Sequence, residues 1–335
     1  MLKVEPEVSV VICHHTGDLL FPMLDSLFKS RNVNFEVIVL TSNEGLAMKG
    51  IKGCIVMHSL AMPAEKRNIG VRLSKGRYIA FFDDDVVIDP LCLYHLKNGL
   101  GLYVGMTYGK LWNMEHRNRF DEAGGYLTWT GFIWSRAGQN DLDEGQYDKD
   151  EFVLAGKSAS CMVKKEVFNK AGGFDESFGI LGEETDLSWR IWLKGYTIMY
   201  TPKATGYHAF NTKFKPKEKH YTNSRVFFNG SRNYITMLIK NLGKEHLWIV
   251  PIHMTIWFSV ACVMLLTLKV SQGLHIMKGL WYVVVNIRSI LTKRQKVQET
   301  RKVNESDLWK KVYRKTPGRY WRTRFLRYVT LGLHG

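Results

Sequence analysis

Residues 78–85 read YIAFFDDD, an apolar run that ends in three consecutive aspartates. The apolar part has the length of a strand that is buried on both faces of a sheet. Similar runs come before it, at residues 8–13, 35–40 and 53–58. Helical spacings of apolar residues separate these runs, over residues 18–30 and 63–74. Strands that alternate with helices predict an α/β fold with a mostly parallel central sheet and flanking helices. Ligands bind such sheets beyond the C-terminal ends of the strands.

The three aspartates therefore stand where chemistry is expected. Adjacent carboxylates at Asp83, Asp84 and Asp85 repel one another, so the cluster is costly to bury unless a cation or hydrogen-bond donors compensate it. A divalent metal ion bound to a diphosphate would supply that compensation, because Mg²⁺ and Mn²⁺ prefer oxygen ligands and complete their shells with phosphate oxygens and water. The alternative is a solvated acidic turn that leads into the next helix at residues 89–90.

The preceding helical pattern carries two cations, Lys66 and Arg67, within AEKRNIG at residues 64–70. Alone, such a basic face indicates no more than a solvated surface, although it also suits a phosphate. Together with the strand YIAFFDDD, it is similar to the nucleotide-binding half of inverting family 2 glycosyltransferases. Those enzymes have the GT-A fold, which is a Rossmann-like α/β fold.

Further motifs resemble the same family and occur in the family's order. Residues 145–148, GQYD, resemble its rhamnosyltransferase-like branch. Residues 159–163, ASCMV, and residues 172–176, GGFDE, are similar to its acceptor-side segment. Residues 182–190, GEETDLSWR, with a GY pair shortly after them, are similar to its GED-x-DLSWR element. The resemblance covers about residues 8–240.

This resemblance implies a nucleotide-sugar donor site at the strand ends, with Mg²⁺ or Mn²⁺ as the cofactor. It assigns donor binding to His14, Thr16, Asn43, Arg67, Asn68, Asp83 and Asp84, and metal binding to Asp83, Asp85 and His208. A neutral imidazole can bind a metal, although a lone histidine after a strand is otherwise an ordinary surface or core residue. Where the family usually has an aspartate after the second strand, residues 41–43 read TSN. The sugar and the choice among UDP-, dTDP- and GDP-linked donors therefore stay open.

A second carboxylate group suits acid–base chemistry. An acceptor hydroxyl loses its proton as it attacks the anomeric carbon, and a nearby carboxylate can take that proton, helped if partial burial raises its pKa. In the family this base is the aspartate of the ED pair, which corresponds to Glu184. Glutamate keeps the carboxylate but adds one methylene group. Asp186 is therefore a second candidate for a catalytic residue, although we expect it to brace the start of its helix.

The formal net charge of +16 over 335 residues is unevenly distributed. Residues 1–210 carry a net charge of −3, whereas residues 211–335 carry +19, with 24 Lys and Arg against 5 Asp and Glu. Such a segment suits an anionic surface. We expect a membrane surface and no nucleic acid, because no RNA- or DNA-binding motif occurs and residues 246–268 are 23 residues without a formal charge.

This uncharged stretch would span about 34 Å as a helix, enough to cross a bilayer core. A single crossing would carry the basic tail, which begins at Lys293, to the far side, against the positive-inside tendency. The next apolar run, residues 279–287, is too short to return. We therefore expect a re-entrant or interfacial hairpin that holds the basic tail beside the cytoplasmic leaflet. The alternative is a long core helix with a solvated tail.

The sequence predicts three regions: a nucleotide-sugar-binding half over residues 1–100, an acceptor and catalytic half over residues 101–240, and a helical membrane-associated region over residues 241–335. Residues 100–156 have an irregular pattern, rich in Gly, Trp and acidic side chains. The five scattered cysteines indicate reduced core thiols of a cytosolic protein. No signal-peptide pattern opens the sequence.

The predicted function is metal-dependent, inverting transfer of a sugar from a nucleotide-sugar to a hydroxyl of a lipid-linked or cell-surface saccharide, at the cytoplasmic face of a membrane. A polyprenyl-phosphate glycosyltransferase or a polysaccharide synthase is an alternative, although the synthases' QxxRW motif is absent. A non-catalytic nucleotide-sugar-binding scaffold is an alternative of another class, because a fold alone does not fix a function.

Overall fold

The computed structural model describes residues 5–15, 17–137, 141–209 and 224–314, which form a mixed α/β structure. The strands are β1 (Val8–His14), β2 (Phe35–Thr41), β3 (Cys54–His58), β4 (Tyr78–Asp83), β5 (Val86–Ile88), β6 (Val104–Asn113), β7 (Phe120–Glu122), β8 (Gly125–Leu127), β9 (Ile133–Ser135), β10 (Glu151–Phe152), β11 (Ser160–Lys164) and β12 (Thr197–His208). The helices are α1 (Leu20–Phe28), α2 (Glu44–Lys49), α3 (Pro63–Leu73), α4 (Cys92–Asn98), α5 (Lys165–Ala171), α6 (Glu183–Leu193), α7 (Ser224–Asn241), α8 (Ile249–Leu266), α9 (Val270–Val285), α10 (Ile287–Glu299) and α11 (Glu305–Val312).

One central sheet of ten strands organises the molecule. Its order is β10-β12-β6-β11-β4-β1-β2-β3, with β5 beside β12 and β7 beside β6. Six strands, β12, β6, β4, β1, β2 and β3, run in one direction, whereas β11 lies antiparallel between β6 and β4. Cys13 is in register with Asp83, so the carboxyl ends of β1 and β4 meet at one edge. This mostly parallel sheet confirms the predicted α/β architecture.

Two apolar layers cover the faces of this sheet. On β1, Val11 packs in the layer that includes α3, α5 and α6. Val8, Val10 and Ile12 pack in the opposite layer, which includes α1 and α4. A strand that is buried on both faces has an almost continuous apolar sequence. This is the reason why β1, β2 and β4 can be recognised from the sequence.

The sequence predicts irregular structure over residues 100–156, and this expectation is wrong for β6, which crosses the middle of the sheet. Gly105, Gly109 and Lys110 interrupt its apolar pattern. Glycine is required at position 109 because a Cβ atom there would lie 2.5 Å from the carbonyl oxygen of Ala204, on the adjacent strand β12. Because β6 and β12 approach so closely, glycine replaces an apolar residue in β6. The strand therefore lacks the apolar pattern by which strands are recognised in a sequence.

The C-terminal helices pack on one another and on the sheet. Among the described residues, one helical segment, Lys244–Leu266, which includes α8, is long and apolar enough to cross a membrane by length and composition. Its most apolar 18 residues have a mean hydropathy of 2.1. Leu308 and Val312 of α11 are buried in the same apolar layer as α3 and α6. The predicted helical C-terminal region is confirmed, whereas the division of the chain at residues 100 and 240 stays a prediction. Residues 315–335 of the basic tail lie outside the described residues.

All five cysteines are free thiols, as the sequence predicts. Only Cys92 and Cys161 are fully buried, whereas Cys13, Cys54 and Cys262 are partly exposed. The expected core position is therefore correct for two of the five.

Candidate active site

Three candidate metal ligands converge at the carboxyl edge of the sheet. Ligand atoms of Asp83, Asp85 and His208 all lie within 4.8 Å of one another. Asp83 ends β4 and His208 ends β12. The backbone N–H of Ala209 donates to the carbonyl oxygen of Asp85 (3.0 Å), and His208 is paired with Val86 across the sheet. Sheet hydrogen bonds therefore bring together the residues that the sequence assigns to a metal.

His208 lies between two buried carboxylates. Its Nε2 is 3.2 Å from Asp85 Oδ1, and its Nδ1 is 2.7 Å from Asp121 Oδ2. Burial alone would lower the pKa of His208, but Asp85 and Asp121 outweigh this effect and raise the pKa to about 10. Asp121 also accepts a hydrogen bond from Lys157 Nζ (2.7 Å). Burial would raise the pKa of Asp121, but Lys157 and His208 lower it to about 2.

These side chains fit a divalent metal ion. Carboxylate oxygens suit Mg²⁺ and Mn²⁺, and the added imidazole nitrogen favours the transition metal of the two. A metal-bound imidazole usually donates its other ring N–H to a carboxylate, which fixes the orientation of the ring. The contact between His208 Nδ1 and Asp121 has this form, so Nε2, the nitrogen that faces Asp85, is the one that would give up its proton to bind a metal.

The ends of β1 and β2 are tied together beside this cluster. His14 Nδ1 lies 2.8 Å from Asp84 Oδ2. Two of the residues that the resemblance assigns to nucleotide-sugar binding are therefore in contact. Lys66 Nζ donates to the His14 carbonyl oxygen (3.0 Å) and to Ser42 Oγ (2.6 Å). Burial lowers the pKa of Lys66. The buried lysine thus fixes the strand ends next to which a nucleotide would bind.

Two other residues of the predicted donor set make local contacts with the protein itself. Asn43 is the N-cap of α2, and its Oδ1 accepts a backbone N–H of the first turn (3.0 Å). The Asn68 amide nitrogen donates to Phe174 O and to Glu176 Oε1, both at 2.9 Å, and its oxygen accepts the Phe174 N–H (3.0 Å). These contacts do not support donor binding by Asn68, because they use both of its polar atoms to hold a neighbouring turn. Thr16 lies outside the described residues.

Arg67 joins the aspartate cluster to the candidate catalytic helix. Its Nη2 lies 3.1 Å from Asp83 Oδ1, and its Nη1 lies 2.8 Å from Glu183 Oε1. The guanidinium is buried and lies 5.5 Å from the centre of the Phe174 ring. A single fixed cation thus sets the spacing between the end of β4 and the start of α6.

Glu184, the candidate general base, lies at the start of the helix that Arg67 contacts. It lies partly buried in the first turn of α6, beside Glu183. Burial, and then the charge of Glu183, raise the pKa of Glu184 well above its usual value of 4.5. A carboxylate whose pKa is closer to neutrality is a stronger proton acceptor when it is ionised.

Asp186, in contrast, is an internal ion-pairing residue. It is fully buried and contacts Arg190 Nη2 (2.9 Å), Lys240 Nζ (3.0 Å) and Asn241 Nδ2 (3.0 Å). Burial would raise the pKa of Asp186, but Arg190 and Lys240 outweigh this effect and lower it. These contacts favour the bracing role over a catalytic one.

The backbone before α6 has an unusual conformation that α7 supports. Leu181 and Gly182 have φ angles of +75° and +83°, a region that costs a residue with a side chain about 1–2 kcal/mol. The Asn233 Nδ2 atom of α7 lies 3.0, 3.0 and 2.8 Å from the carbonyl oxygens of Phe178, Ile180 and Leu181. The position of the candidate base therefore depends on a helix outside the sheet.

Sequence reasoning misses Asp121, Glu183 and Asn233. Asp121 lies on the short strand β7 within the irregular stretch, where no motif marks it. Glu183 belongs to the motif GEETDLSWR. The signal that could have found it is the buried cation Arg67, which needs an acidic partner, together with the acidic residues of this motif. Asn233 lies in α7, within about 10 residues of the end of the resemblance, and carries no recognisable pattern.

The chain also matches known glycosyltransferases. The sequence model described as "Glycosyl transferase family group 2" matches residues 78–291, and the one described as "Glycosyl transferase family 2" matches residues 9–110. The first match covers more than half of the chain. The chain therefore belongs to the family 2 glycosyltransferases and is an enzyme of that class, which confirms the resemblance and removes the scaffold alternative.

Individual relatives are more distant. The O-antigen biosynthesis protein RfbC of Myxococcus xanthus is 27% identical over 222 residues, which are 61% of this chain and 17% of that protein. The chain thus matches only a small part of this longer relative. The rhamnosyltransferase-like branch stays a prediction.

Two solved structures have a similar fold. The structure of S. aureus TarS, residues 1–349, in complex with UDP-GlcNAc has a TM-score of 0.54 and 15% identity, and the match covers 88% of this chain and 91% of that 1–349 chain. GalNAc-T7 with UDP, GalNAc and Mn²⁺ has a TM-score of 0.56 and 15% identity, with 86% of this chain and 58% of that chain covered. At this identity the likeness concerns the fold alone, and it confirms the predicted GT-A architecture.

Proposed function

We propose that this family 2 enzyme is a metal-dependent, inverting glycosyltransferase that transfers a sugar from UDP to a saccharide hydroxyl. One observation carries the proposal: Asp83, Asp85 and His208 lie together, and Arg67 connects them directly to the helix turn that bears Glu184. The UDP, UDP-GlcNAc and Mn²⁺ of the structural neighbours support UDP as the nucleotide and Mn²⁺ as the metal.

In this reaction the candidate site residues have two roles. Asp83, Asp85 and His208 would hold a divalent ion, which when bound would stabilise the negative charge of the departing diphosphate. Glu184 removes the proton from the acceptor hydroxyl. The hydroxyl oxygen forms a bond to the anomeric carbon on the face opposite the diphosphate, while the bond from that carbon to the diphosphate oxygen breaks. UDP leaves with the electron pair of the broken bond, and the anomeric configuration is inverted.

The acceptor is a lipid-linked or cell-surface saccharide, and the enzyme acts at the cytoplasmic face of a membrane. The name of the RfbC relative, an O-antigen biosynthesis protein, supports a saccharide acceptor. The apolar helix Lys244–Leu266 and the net charge of +19 over residues 211–335 support the membrane location.

Donor and metal are tested by thermal unfolding of the full chain with UDP, dTDP or GDP and with Mn²⁺ or Mg²⁺. We expect UDP with Mn²⁺ to give the largest rise in Tm, and we expect Asp85→Asn to abolish the metal-dependent part. A larger rise with another nucleotide, or a rise that is independent of metal, would contradict the assignment.

The base is tested by Glu184→Gln, which should lower transfer about 100- to 10,000-fold and leave UDP-sugar affinity unchanged. Glu166→Gln is the matched control, because Glu166 also lies in the first turn of a helix but is exposed. Unchanged transfer by Glu184→Gln would refute the role of the base. A product with the anomeric configuration of the donor would refute inversion.

A further inference from the structure

The α8–α9 hairpin, defined here as residues 249–285, presents an unusually apolar outer surface. Its exposed large side chains are Phe258, Leu266, Leu268, Val270, Leu274, Trp281, Val284 and Val285. Leu268, at the tip, is 88% exposed, and Trp281 is 67% exposed. A groove of about 370 Å³ between the helices is lined by Met254, Thr255, Phe258, Met277, Leu280, Trp281 and Val284. Contiguous apolar patches of this kind on a soluble domain mark interaction sites.

The inner face of α8 is fixed to the body of the enzyme. Trp257 packs in one buried cluster with Phe132, with Phe227 of α7 and with Ile276 of α9. The ring of the buried His253 contacts the carbonyl oxygen of Thr130 (2.7 Å), and Trp257 Nε1 donates to His253 Nε2 (2.9 Å). A helix that crosses a bilayer must leave the aqueous domain along its whole length, and α8 cannot do so without breaking these contacts.

The stretch of chain that contains this hairpin carries formal charge of one sign. Residues 246–298 contain six Lys and Arg and no Asp or Glu. Lys278 and Arg288 are exposed among the apolar side chains, and long cationic side chains can place their charge at the level of lipid headgroups while their stems stay apolar. The patch therefore combines an apolar face with positive charge, which is the composition of a helix that lies at a membrane interface.

We infer that the α8–α9 hairpin lies in the plane of an anionic lipid bilayer, with its outer face in the boundary between headgroups and acyl chains, and does not span the bilayer. The inference deepens the membrane location proposed above and rests on it. An interfacial arrangement is favoured over a crossing because the inner face of the hairpin packs against the rest of the enzyme.

The experiment uses the full chain and sedimentation with vesicles of phosphatidylcholine alone or mixed in equal parts with phosphatidylglycerol. We expect binding to the anionic vesicles, and the double variant Leu268→Gln, Trp281→Gln should weaken that binding about tenfold or more, because it removes two exposed apolar contacts. Leu102→Gln is the matched control, since Leu102 is 78% exposed on another part of the chain, and its binding should be unchanged.

A second measurement separates lying in the interface from spanning. Bound enzyme should exchange to a second vesicle population, whereas insertion of a transmembrane helix is effectively irreversible. Absence of exchange would overturn the inference. Equal binding by the double variant would also overturn it, as would a stable dimer in solution that the double variant dissociates without any vesicle binding.

The failure of this inference can be told from failure of the proposed function. Transfer to a soluble saccharide acceptor, measured without vesicles, should be the same for the double variant and for the unmodified chain. Loss of vesicle binding by the double variant, with intact transfer, would be evidence about the hairpin only. Absence of transfer by the unmodified chain would be evidence against the proposed reaction.

Discussion

Glu184 and Asp186 stand two residues apart on one helix, and their surroundings shift their pKa values in opposite directions. Burial and Glu183 raise the pKa of Glu184, whereas Arg190 and Lys240 overcome burial and lower that of Asp186. Two carboxylates whose environments separate their pKa values commonly have different tasks. In the mechanism proposed above, Glu184 accepts a proton, whereas Asp186 stays ionised and holds the helix through Arg190 and Lys240.

The raised pKa of Glu184 predicts a pH-dependent cost in stability. A folded pKa above the unfolded one means that Glu184 favours folding while it is protonated, and this contribution is lost as the pH rises through the folded pKa. Glu184→Gln stays neutral, so its free energy of unfolding should exceed that of the unmodified chain at neutral and higher pH. The difference should vanish below the usual pKa of 4.5.

Urea unfolding at several pH values measures this effect, and Asp186→Asn is the opposite control. Because its folded pKa is lowered, Asp186 stabilises the fold above its usual pKa of 3.8 and loses this effect as the pH falls. We expect Asp186→Asn to cost about 3 kcal/mol at neutral pH, the lower end for a broken buried pair, because Asp175 also holds Lys240. If Glu184→Gln instead lowered the free energy of unfolding, the negative charge of Glu184 would be stabilised by its surroundings and the prediction would be wrong.

Asp121 provides a second prediction for a single residue. Because it orients His208 and makes no predicted contact with the metal itself, Asp121→Asn should weaken Mn²⁺ binding about 10- to 100-fold. Calorimetric titration with Mn²⁺ and UDP measures the change. Asp143→Asn is the matched control, since Asp143 is also largely buried but pairs with Lys110 (2.9 Å). Equal weakening by both variants would indicate a general loss of structure.

At the scale of elements, helix α7 holds the turn that precedes the candidate base Glu184. Arg232 Nη2 donates to the carbonyl oxygens of Ser177 and Phe178, both at 3.0 Å. Lys240 Nζ contacts Asp175 Oδ2 (2.6 Å). With Asn233, these residues hold the segment that leads into α6 from one side, so the helix positions catalytic groups that it does not carry.

Replacing Asn233 with alanine should therefore affect catalysis more than donor binding. Loss of the amide removes the side-chain donor to the carbonyl oxygens of Ile180 and Leu181, at a cost of about 1–3 kcal/mol, and the turn before Glu184 relaxes. We expect a lower kcat and an unchanged KM for the donor. Asn286→Ala should change neither, because Asn286 follows α9 directly and its amide donates to Tyr282 O of that helix (2.9 Å). A rise in donor KM without a change in kcat would contradict the positioning role.

The elements also show what a sequence can reveal. Asp83 and Asp85 belong to a recognisable motif at the end of an apolar strand, and the family resemblance adds His208, so their convergence could be predicted. Asp121 could not, because its contact with His208 joins residues 87 positions apart through a three-residue strand without a pattern. Asn68 has a motif position but an unexpected orientation, since its side chain turns toward Phe174. Motifs identify residues, but the tertiary contacts decide which way each side chain points.

At the scale of the whole molecule, the C-terminal helices form part of the enzyme's core. The backbone N–H of Lys302 donates to the carbonyl oxygen of Leu193 (2.8 Å) at the end of α6, and that of Arg314 donates to Leu127 O (3.1 Å). Leu308 is 3% exposed. The predicted membrane-associated region therefore shares its apolar interior with the donor-binding half.

This sharing predicts one cooperative unfolding transition. Leu308→Ala should lower the free energy of unfolding by about 2–5 kcal/mol and shift the whole transition, including the part that UDP protects. Denaturant unfolding followed by near-UV circular dichroism measures this shift. Lys310→Ala, on the exposed side of the same helix, should leave it unchanged. Two separate transitions, of which only one moves, would show that the C-terminal region folds on its own.

Arg67 limits how such an enzyme can be recombined. Its guanidinium is shared by Asp83 at the end of β4 and by Glu183 at the start of α6, residues 100 positions apart in the chain. A chimera that takes its acceptor segment from a relative must therefore bring a carboxylate to position 183, or the arginine is left with a buried charge that is only half neutralised. The end of β4 and the start of α6 are consequently expected to be exchangeable only together.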